Sequence, residues 1–168
     1  MGRGAEHVVA LDVGRDQLAA DLREHPQVTE RSGTSIRDST PEELGTFDLV
    51  VADLSFISLT LVLAPIAGLT RDGGDVVCLV KPQFEVGRGR LSKNGIVIDP
   101  RHRRRALTDV VAAAGAAGLG LHGLARSPIS GGEGNTEYLL WARRGVSGTM
   151  DPDAAHAAIR DLAKEGRP

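Results

Sequence analysis

Aromatic residues are scarce in this 168-residue chain: three Phe, one Tyr and one Trp, 3% in all. A core with so few rings must be filled by Val, Leu, Ile and Ala, which favours a parallel α/β sheet over a sandwich or barrel rich in aromatic pairs. Cysteine is nearly absent too. The single Cys78 excludes an internal disulfide and a zinc cluster, and its place in the apolar run from Val76 to Val80 reads as a small buried filler. No apolar stretch approaches the ~18 residues of a membrane span. The N-terminus lacks a signal-peptide apolar region, and Glu6 stands where a myristoylation signal needs Ser or Thr. The expected location is the cytoplasm, with no membrane partner. Lysine is the third scarcity: of 20 basic residues only Lys81, Lys93 and Lys164 are Lys. Where Arg is the default cation, a Lys can serve chemistry that needs a group able to lose its proton.

What remains is ordinary for a soluble domain: 41% hydrophobic and 25% charged residues, with a net charge of −2. That charge exerts no global pull on nucleic acid, so a basic patch would have to be local, and Arg101 to Arg105 is the candidate. Apolar runs predict buried strands over His7–Val13, Phe47–Leu54 and Asp75–Lys81, with a weaker one over Gln27–Arg31. Helices are expected over Asp16–His25, from the Thr40-Pro41-Glu42-Glu43 start, and over Ser58–Leu69 with an interruption at Pro65. Arg71–Gly74 reads as a turn. Gln83–Ile98 reads as a long irregular loop, of the kind that is functional or mobile. Asp99-Pro100 then caps a helix from Arg101 to Ala117 that stops at Gly118. Leu121–Ser127 and Thr136–Arg143 form an antiparallel hairpin across the Gly-rich segment between them. A linker over Gly145–Met150 leads to a short helix over Pro152–Glu165. Strands alternate with helices and a hairpin closes the sheet, a doubly wound α/β arrangement.

Ligands in such sheets bind at the carboxyl ends of the strands. There the chain places Asp12, Asp53 and Lys81. The antiparallel last strand begins with Glu137 on the same edge, so Asp53, Lys81 and Glu137 can converge although they are far apart in sequence. Opposite charges favour the charged form of a Lys, and desolvation opposes it. A Lys between those effects can orient a hydroxyl and help take its proton; a buried salt bridge between strand ends is the other reading. Asp12 reads either as an acceptor for ribose hydroxyls or as a turn residue before Gly14. Phe84 suits stacking on a base or packing of its loop. Asn135 suits orienting Glu137 or serving the hairpin turn. A nicotinamide-dependent oxidoreductase would want Gly-x-Gly-x-x-Gly directly after its first strand, and the turn that begins at Gly14 does not carry it.

The segments HVVALDVG, DLVVADLSFISL, VCLVKPQFEVGRG and GNTEYLLW resemble the TlyA group of ribosomal RNA methyltransferases, also labelled haemolysin A, within the FtsJ-like 2′-O-methyltransferases. The likeness runs from about Gly4 to Arg144. It implies a Rossmann-like fold with a mostly parallel sheet and a C-terminal antiparallel hairpin. It also implies methyl transfer from S-adenosylmethionine to a ribose 2′-OH, in this family on cytidines of ribosomal RNA. The last three members of the family's Lys-Asp-Lys-Glu tetrad map onto Asp53, Lys81 and Glu137. Asp12 carries over as the ribose ligand, and Asp53 lies where the methionine end of the cofactor would pass. Ribosomal RNA or a ribosomal subunit is the implied partner.

The chain departs from the family by lacking its S4-type domain, the stretch with the first tetrad Lys, and the glycine-rich first strand and turn. Residues 1–145 are then expected to form a partial methyltransferase domain without its first strand and helix, and 146–168 a linker and terminal helix. In the family's sheet the missing strand lies between those ending in Asp12 and Asp53. Ser32 to Ser35 departs from the family's shorter Thr-Asn pattern. The chain by itself is expected to be inactive. The alternatives are a non-catalytic RNA-binding or haemolysin-like fragment, or a methyltransferase of another substrate.

Overall fold

A computed structural model describes residues 4–164. The chain order is β1 (Val8–Asp12), α1 (Ala20–Arg23), β2 (Val28–Ser32), α2 (Pro41–Leu44), β3 (Phe47–Ala52), α3 (Leu63–Leu69), β4 (Thr70–Val80), α4 (Pro82–Glu85), α5 (Pro100–Ala116), β5 (Leu119–Arg126), β6 (Tyr138–Arg144) and α6 (Pro152–Lys164), with 3-10 turns at Leu59–Leu61 and Arg88–Arg90 among the connections. The strands form two sheets. β1 and β2 pair in parallel, and the other four run in the order β3-β4-β6-β5. The β3–β4 pair is parallel, whereas β4–β6 and β6–β5 are antiparallel. Parallel pairing therefore does not dominate: the last strand inserts between β4 and β5, and both of its ladders are antiparallel. β1, which ends in Asp12, and β3, which Asp53 follows, lie in separate sheets.

One face of the larger sheet carries the core. Val76, Cys78, Val80, Tyr138, Leu140 and Ala142 are fully buried there and share a cluster with Leu63 and Ile66 of α3, Leu107 and Val110 of α5, and Ala155 and Ile159 of α6. The opposite face has no such cover among the described residues. Its side chains include Leu49, Val51, Leu139 and Trp141, all exposed, with Val51 at 68%.

Several elements differ from the sequence expectation for local reasons. The helix expected over Asp16–His25 shrinks to one turn with no buried residue, because two Leu give it too small a face to pack and Asp16 adopts φ 57°. The expected turn at Arg71–Gly74 is a bulge inside β4. Phe47 pairs with Thr70 and Leu49 with Asp75, so one residue of β3 faces four of β4. Arginines of β6 hold this bulge: Arg143 Nη2 donates to Gly73 O at 2.7 Å, Arg144 Nη1 donates to Thr70 O at 2.5 Å, and Arg144 Nε lies 3.4 Å from Asp72 Oδ1. Pro65 does not interrupt its helix. It lies in the first turn of α3, where a missing N–H costs nothing, and the break falls at Val62 instead. Gly118, Gly120 and Gly123 have Gly-x-Gly-x-x-Gly spacing but open and line β5 rather than a turn entering a helix. At Gly120 a Cβ would lie 2.0 Å from Val146 O, so the glycine lets the segment before α6 cross the strand.

The start of α5 follows expectation. Asp99 accepts Arg101 N–H at 2.8 Å, and the Arg101 guanidinium holds its carboxyl down to about 2. The long loop before it is packed rather than loose, with Val86 and Val97 buried against Ala106. Arg103 faces inward. It donates to Val97 O at 3.0 Å, Ile98 O at 2.8 Å and Ala163 O at 3.0 Å, tying loop, α5 and α6 together. Among the described residues no helix is long and apolar enough to cross a membrane.

Two predictions follow from this packing. Leu140→Ala, at a fully buried site, should lower the free energy of unfolding by about 3 kcal/mol in urea titrations, against less than half that for the exposed neighbour Leu139→Ala. Burial pushes the Cys78 thiol from 9.0 up to about 12. The native chain should therefore resist thiol reagents at neutral pH. Cys78's contribution to stability should be complete below pH 9 and fall as the pH rises toward about 12, because only the unfolded chain ionises in that window.

Candidate active site

The site grows from the way two strands end. β3 and β4 run in parallel with Ala52 beside Cys78, so the residues that follow them emerge on one sheet edge. Lys81 Nζ lies 2.7 Å from Asp53 Oδ1 and donates to Ser55 Oγ at 3.2 Å. The pair is asymmetric: the Lys81 side chain is 14% exposed and that of Asp53 66%. The ammonium is thus held at the base of the site by two acceptors, beneath a carboxylate open to a ligand.

Glu137 reaches the same edge from the other neighbour of β4. Val80 pairs with Tyr138 in the antiparallel β4–β6 ladder, and one step further that register sets Lys81 across from Glu137. The carboxylate of Glu137 is buried, and its Oε1 accepts Gln83 Nε2 at 2.9 Å. Gly131 comes so close that a Cβ there would sit 2.1 Å from Glu137 Oε1, so any side chain at this position would displace the Glu137 carboxylate. The expected trio therefore shares an edge, but the bonds divide it: Lys81 is held by Asp53 and Ser55, and Glu137 by Gln83.

The remaining candidates are placed as follows. Asp12 is exposed at the end of β1 in the smaller sheet, and its Oδ1 accepts Gly14 N–H at 2.7 Å. Asn135 is buried, its amide committed to the loop before α5: Oδ1 accepts Val97 N–H at 3.1 Å and Nδ2 donates to Gly95 O at 3.1 Å. The Phe84 ring meets that of Phe56, with centroids 5.1 Å apart and planes tilted by 50°.

Phe56 escaped the sequence reading. It is 90% exposed and takes φ 64°, a left-handed conformation uncommon for a bulky side chain. The signal was available: in a chain with three Phe, one stands three residues after Asp53. Ser55 and Gln83 were missed as well, although each lies two residues from a named candidate. Beside them Glu85 accepts Ser58 Oγ–H at 2.5 Å and Leu59 N–H at 2.9 Å. Burial raises its carboxyl above the usual value, those two donors oppose the rise, and Asp109 adds to it. Chemically, the edge offers a positioned ammonium, an open carboxylate, a buried carboxylate and an exposed ring. Such a set can bind and orient a hydroxyl next to a planar group.

A sequence model of the family described as FtsJ-like methyltransferase matches residues 1–144. The chain is 46% identical over 166 residues to the 16S/23S rRNA (cytidine-2'-O)-methyltransferase TlyA of Mycobacterium tuberculosis, covering 96% of this chain and 62% of that protein. It is 36% identical over 135 residues to the 23S rRNA (cytidine-2'-O)-methyltransferase TlyA of Campylobacter jejuni, covering 80% and 52%. Among solved structures, "Putative hemolysin from Streptococcus thermophilus" superposes with a TM-score of 0.87 at 36% identity, over 98% of this chain and 60% of that one. The chain thus spans about three-fifths of the length of such relatives. From its first residues to the end of β6, it belongs to the FtsJ-like methyltransferase family.

Proposed function

We propose that the edge carrying Asp53, Lys81 and Glu137 serves methyl transfer from S-adenosylmethionine to a ribose 2′-OH of cytidine in ribosomal RNA, in the cytoplasm. The observation that carries this reading is the Lys81 ammonium seated 2.7 Å from Asp53 on the edge that Glu137 reaches from β6. The donor set suits the cofactor: exposed carboxylates end β1 and β3, one fitted to ribose hydroxyls and the other to a cationic amino-acid group. When bound, S-adenosylmethionine supplies an activated methyl on a sulfonium.

The rest of the work falls to this chain's residues. Lys81 orients the 2′-OH and takes part in removing its proton. Asp53 holds Lys81 on the open side. Glu137, fixed by Gln83, sets the charge on the closed side. Asp12 accepts ribose hydroxyls with the oxygen not engaged by Gly14. Phe84, with Phe56 against it, offers a face on which a base can stack. Asn135 acts at one remove, by tying the loop at Gly95 and Val97 to the hairpin that carries Glu137. Positioning of this kind supplies much of the acceleration of an in-line displacement. For the RNA backbone the chain offers a groove between α5 and α6, lined by Arg101, Arg104, Arg160 and Lys164. Their i, i+3 and i, i+4 spacings place cations along both walls.

Ribosomal subunits incubated with the chain and methyl-labelled cofactor test the reading. Any label transferred should appear on cytidine 2′-O. Lys81→Ala should lower the rate by about 100-fold or more, and Lys81→Arg should not restore it, since a guanidinium cannot give up its proton. Label on a base or on protein, or a rate untouched by Lys81→Ala, would overturn it; absence of any label from the parent chain would favour inactivity of the chain by itself. Binding of an unlabelled ribosomal RNA fragment gives a second check. Arg104→Glu with Arg160→Glu should weaken binding and flatten its salt dependence by about two units of slope, leaving cofactor binding unchanged.

A further inference from the structure

Lys81, Phe84 and Glu85 stand at i, i+3 and i+4 around the single turn of α4, a spacing that puts three side chains on one face. All three reach the loop between β3 and the 3-10 turn at Leu59–Leu61, and they meet it in order. Lys81 takes Asp53 at 2.7 Å and Ser55 at 3.2 Å. Phe84 takes Phe56 at a centroid distance of 5.1 Å. Glu85 takes Ser58 Oγ at 2.5 Å and Leu59 N at 2.9 Å. The loop is thereby gripped along its whole length.

That grip has a physical task. Phe56 is held at φ 64° with its side chain 90% exposed, so burial of its own ring does not stabilise the conformation. A bulky residue in this region is strained and persists only where its surroundings fix the chain on both sides. On the near side the chain leaves β3, and Lys81 holds Asp53. On the far side Leu59 is buried in the core and Ile57 packs against it, and the two bonds from Ser58 and Leu59 to Glu85 add the hydrogen bonds that tie this end of the loop to α4. Ser58 also accepts Thr60 N–H at 3.2 Å, so the hydroxyl that Glu85 binds is the one that starts the 3-10 turn.

We propose that Glu85 is a positioning residue: its carboxylate clamps the far end of the Asp53–Ser58 loop and so keeps Asp53 and the strained Phe56 in the conformation that meets substrate. The inference rests on the methyltransferase reading for its catalytic consequence, and on geometry alone for its structural one. It makes Ser58 and Glu85 a coupled pair, neither of which touches the reacting atoms.

The experiment compares Glu85→Ala, Glu85→Gln and Ser58→Ala in the full chain. A Gln amide can accept Leu59 N–H and donate to Ser58 Oγ, so it should restore what Ala removes. Expected for Glu85→Ala are an amide-exchange rate at Leu59 raised at least tenfold and loss of the nuclear Overhauser contact between the Phe56 and Phe84 rings. Glu85→Gln should keep both near the parent values. Ser58→Ala, which leaves Glu85 in place, should give a smaller change of the same kind and keeps the test decisive if Glu85→Ala fails to fold. Unchanged exchange at Leu59 and an unchanged ring contact in the alanine variants would overturn the clamp, as would failure of Gln to restore them. If the parent chain transfers methyl groups, kcat should fall in Glu85→Ala with KM for RNA nearly constant. A constant kcat alongside the altered ring contact would remove the catalytic consequence. No transfer by the parent chain, with the exchange and ring-contact changes as expected, would match inactivity of the chain by itself and leave the clamp standing, whereas label on a base or on protein would overturn the methyltransferase reading alone.

Discussion

Everything at the candidate site depends on β6 lying between β4 and β5. Because that strand runs antiparallel to β4 and pairs Tyr138 with Val80, its first residues reach the edge where β3 and β4 end. A parallel strand in the same place would deliver its carboxyl end there and carry Glu137 to the far side of the sheet. The ladder is anchored by fully buried Val76, Cys78, Val80, Leu140 and Ala142, so a slip of one residue would turn core side chains outward. Register is therefore fixed by the core, and the facing of Lys81 and Glu137 follows from it.

The strands and the long helix were legible because their signals are local. Apolar runs of five to eight residues mark β1, β3 and β4, and Asp99-Pro100 marks the start of α5. The failures share a cause. Leu18 and Leu22 suggested a helix, but a helix this short needs a partner surface, and nothing in the chain order says whether one exists. Arg71–Gly74 carries turn residues, yet whether they end a strand or bulge from it depends on the distant Arg143 and Arg144. The site shows the same division. Strand ends located Asp53, Lys81 and Glu137, whereas the partition of their bonds among Ser55, Gln83 and the tight approach of Gly131 is a three-dimensional fact. Asn135 was legible as a hairpin residue but not as the holder of Gly95 and Val97, since that contact spans some forty positions.

The charged residues sort by the same logic. Arg101 to Arg105 reads in sequence as one basic cluster, but the helix divides it: Arg103 is buried among carbonyls and its neighbours face out. A buried guanidinium needs acceptors for its donors, and three carbonyls from loop and α6 take its two terminal nitrogens, while Nε has no partner among the described residues. The same residue that removes charge from the surface fixes the two helices between which Arg104 and Arg160 line one groove.

The two sheets give the last step. In open α/β proteins both faces of a sheet are covered, yet here one face of the four-stranded sheet keeps Val51 and Trp141 exposed, and among the described residues β3 has a strand neighbour on one side only. A strand so exposed is a weak base for a catalytic loop, because its own backbone pairing cannot hold both edges. The loop after β3 is instead fastened from β4 and α4 through Lys81, Phe84 and Glu85. The candidate edge is thereby tied to β4, whose Val76, Cys78 and Val80 are fully buried. That arrangement lets Asp53 stay open and Phe56 stay strained without depending on the exposed edge beside them.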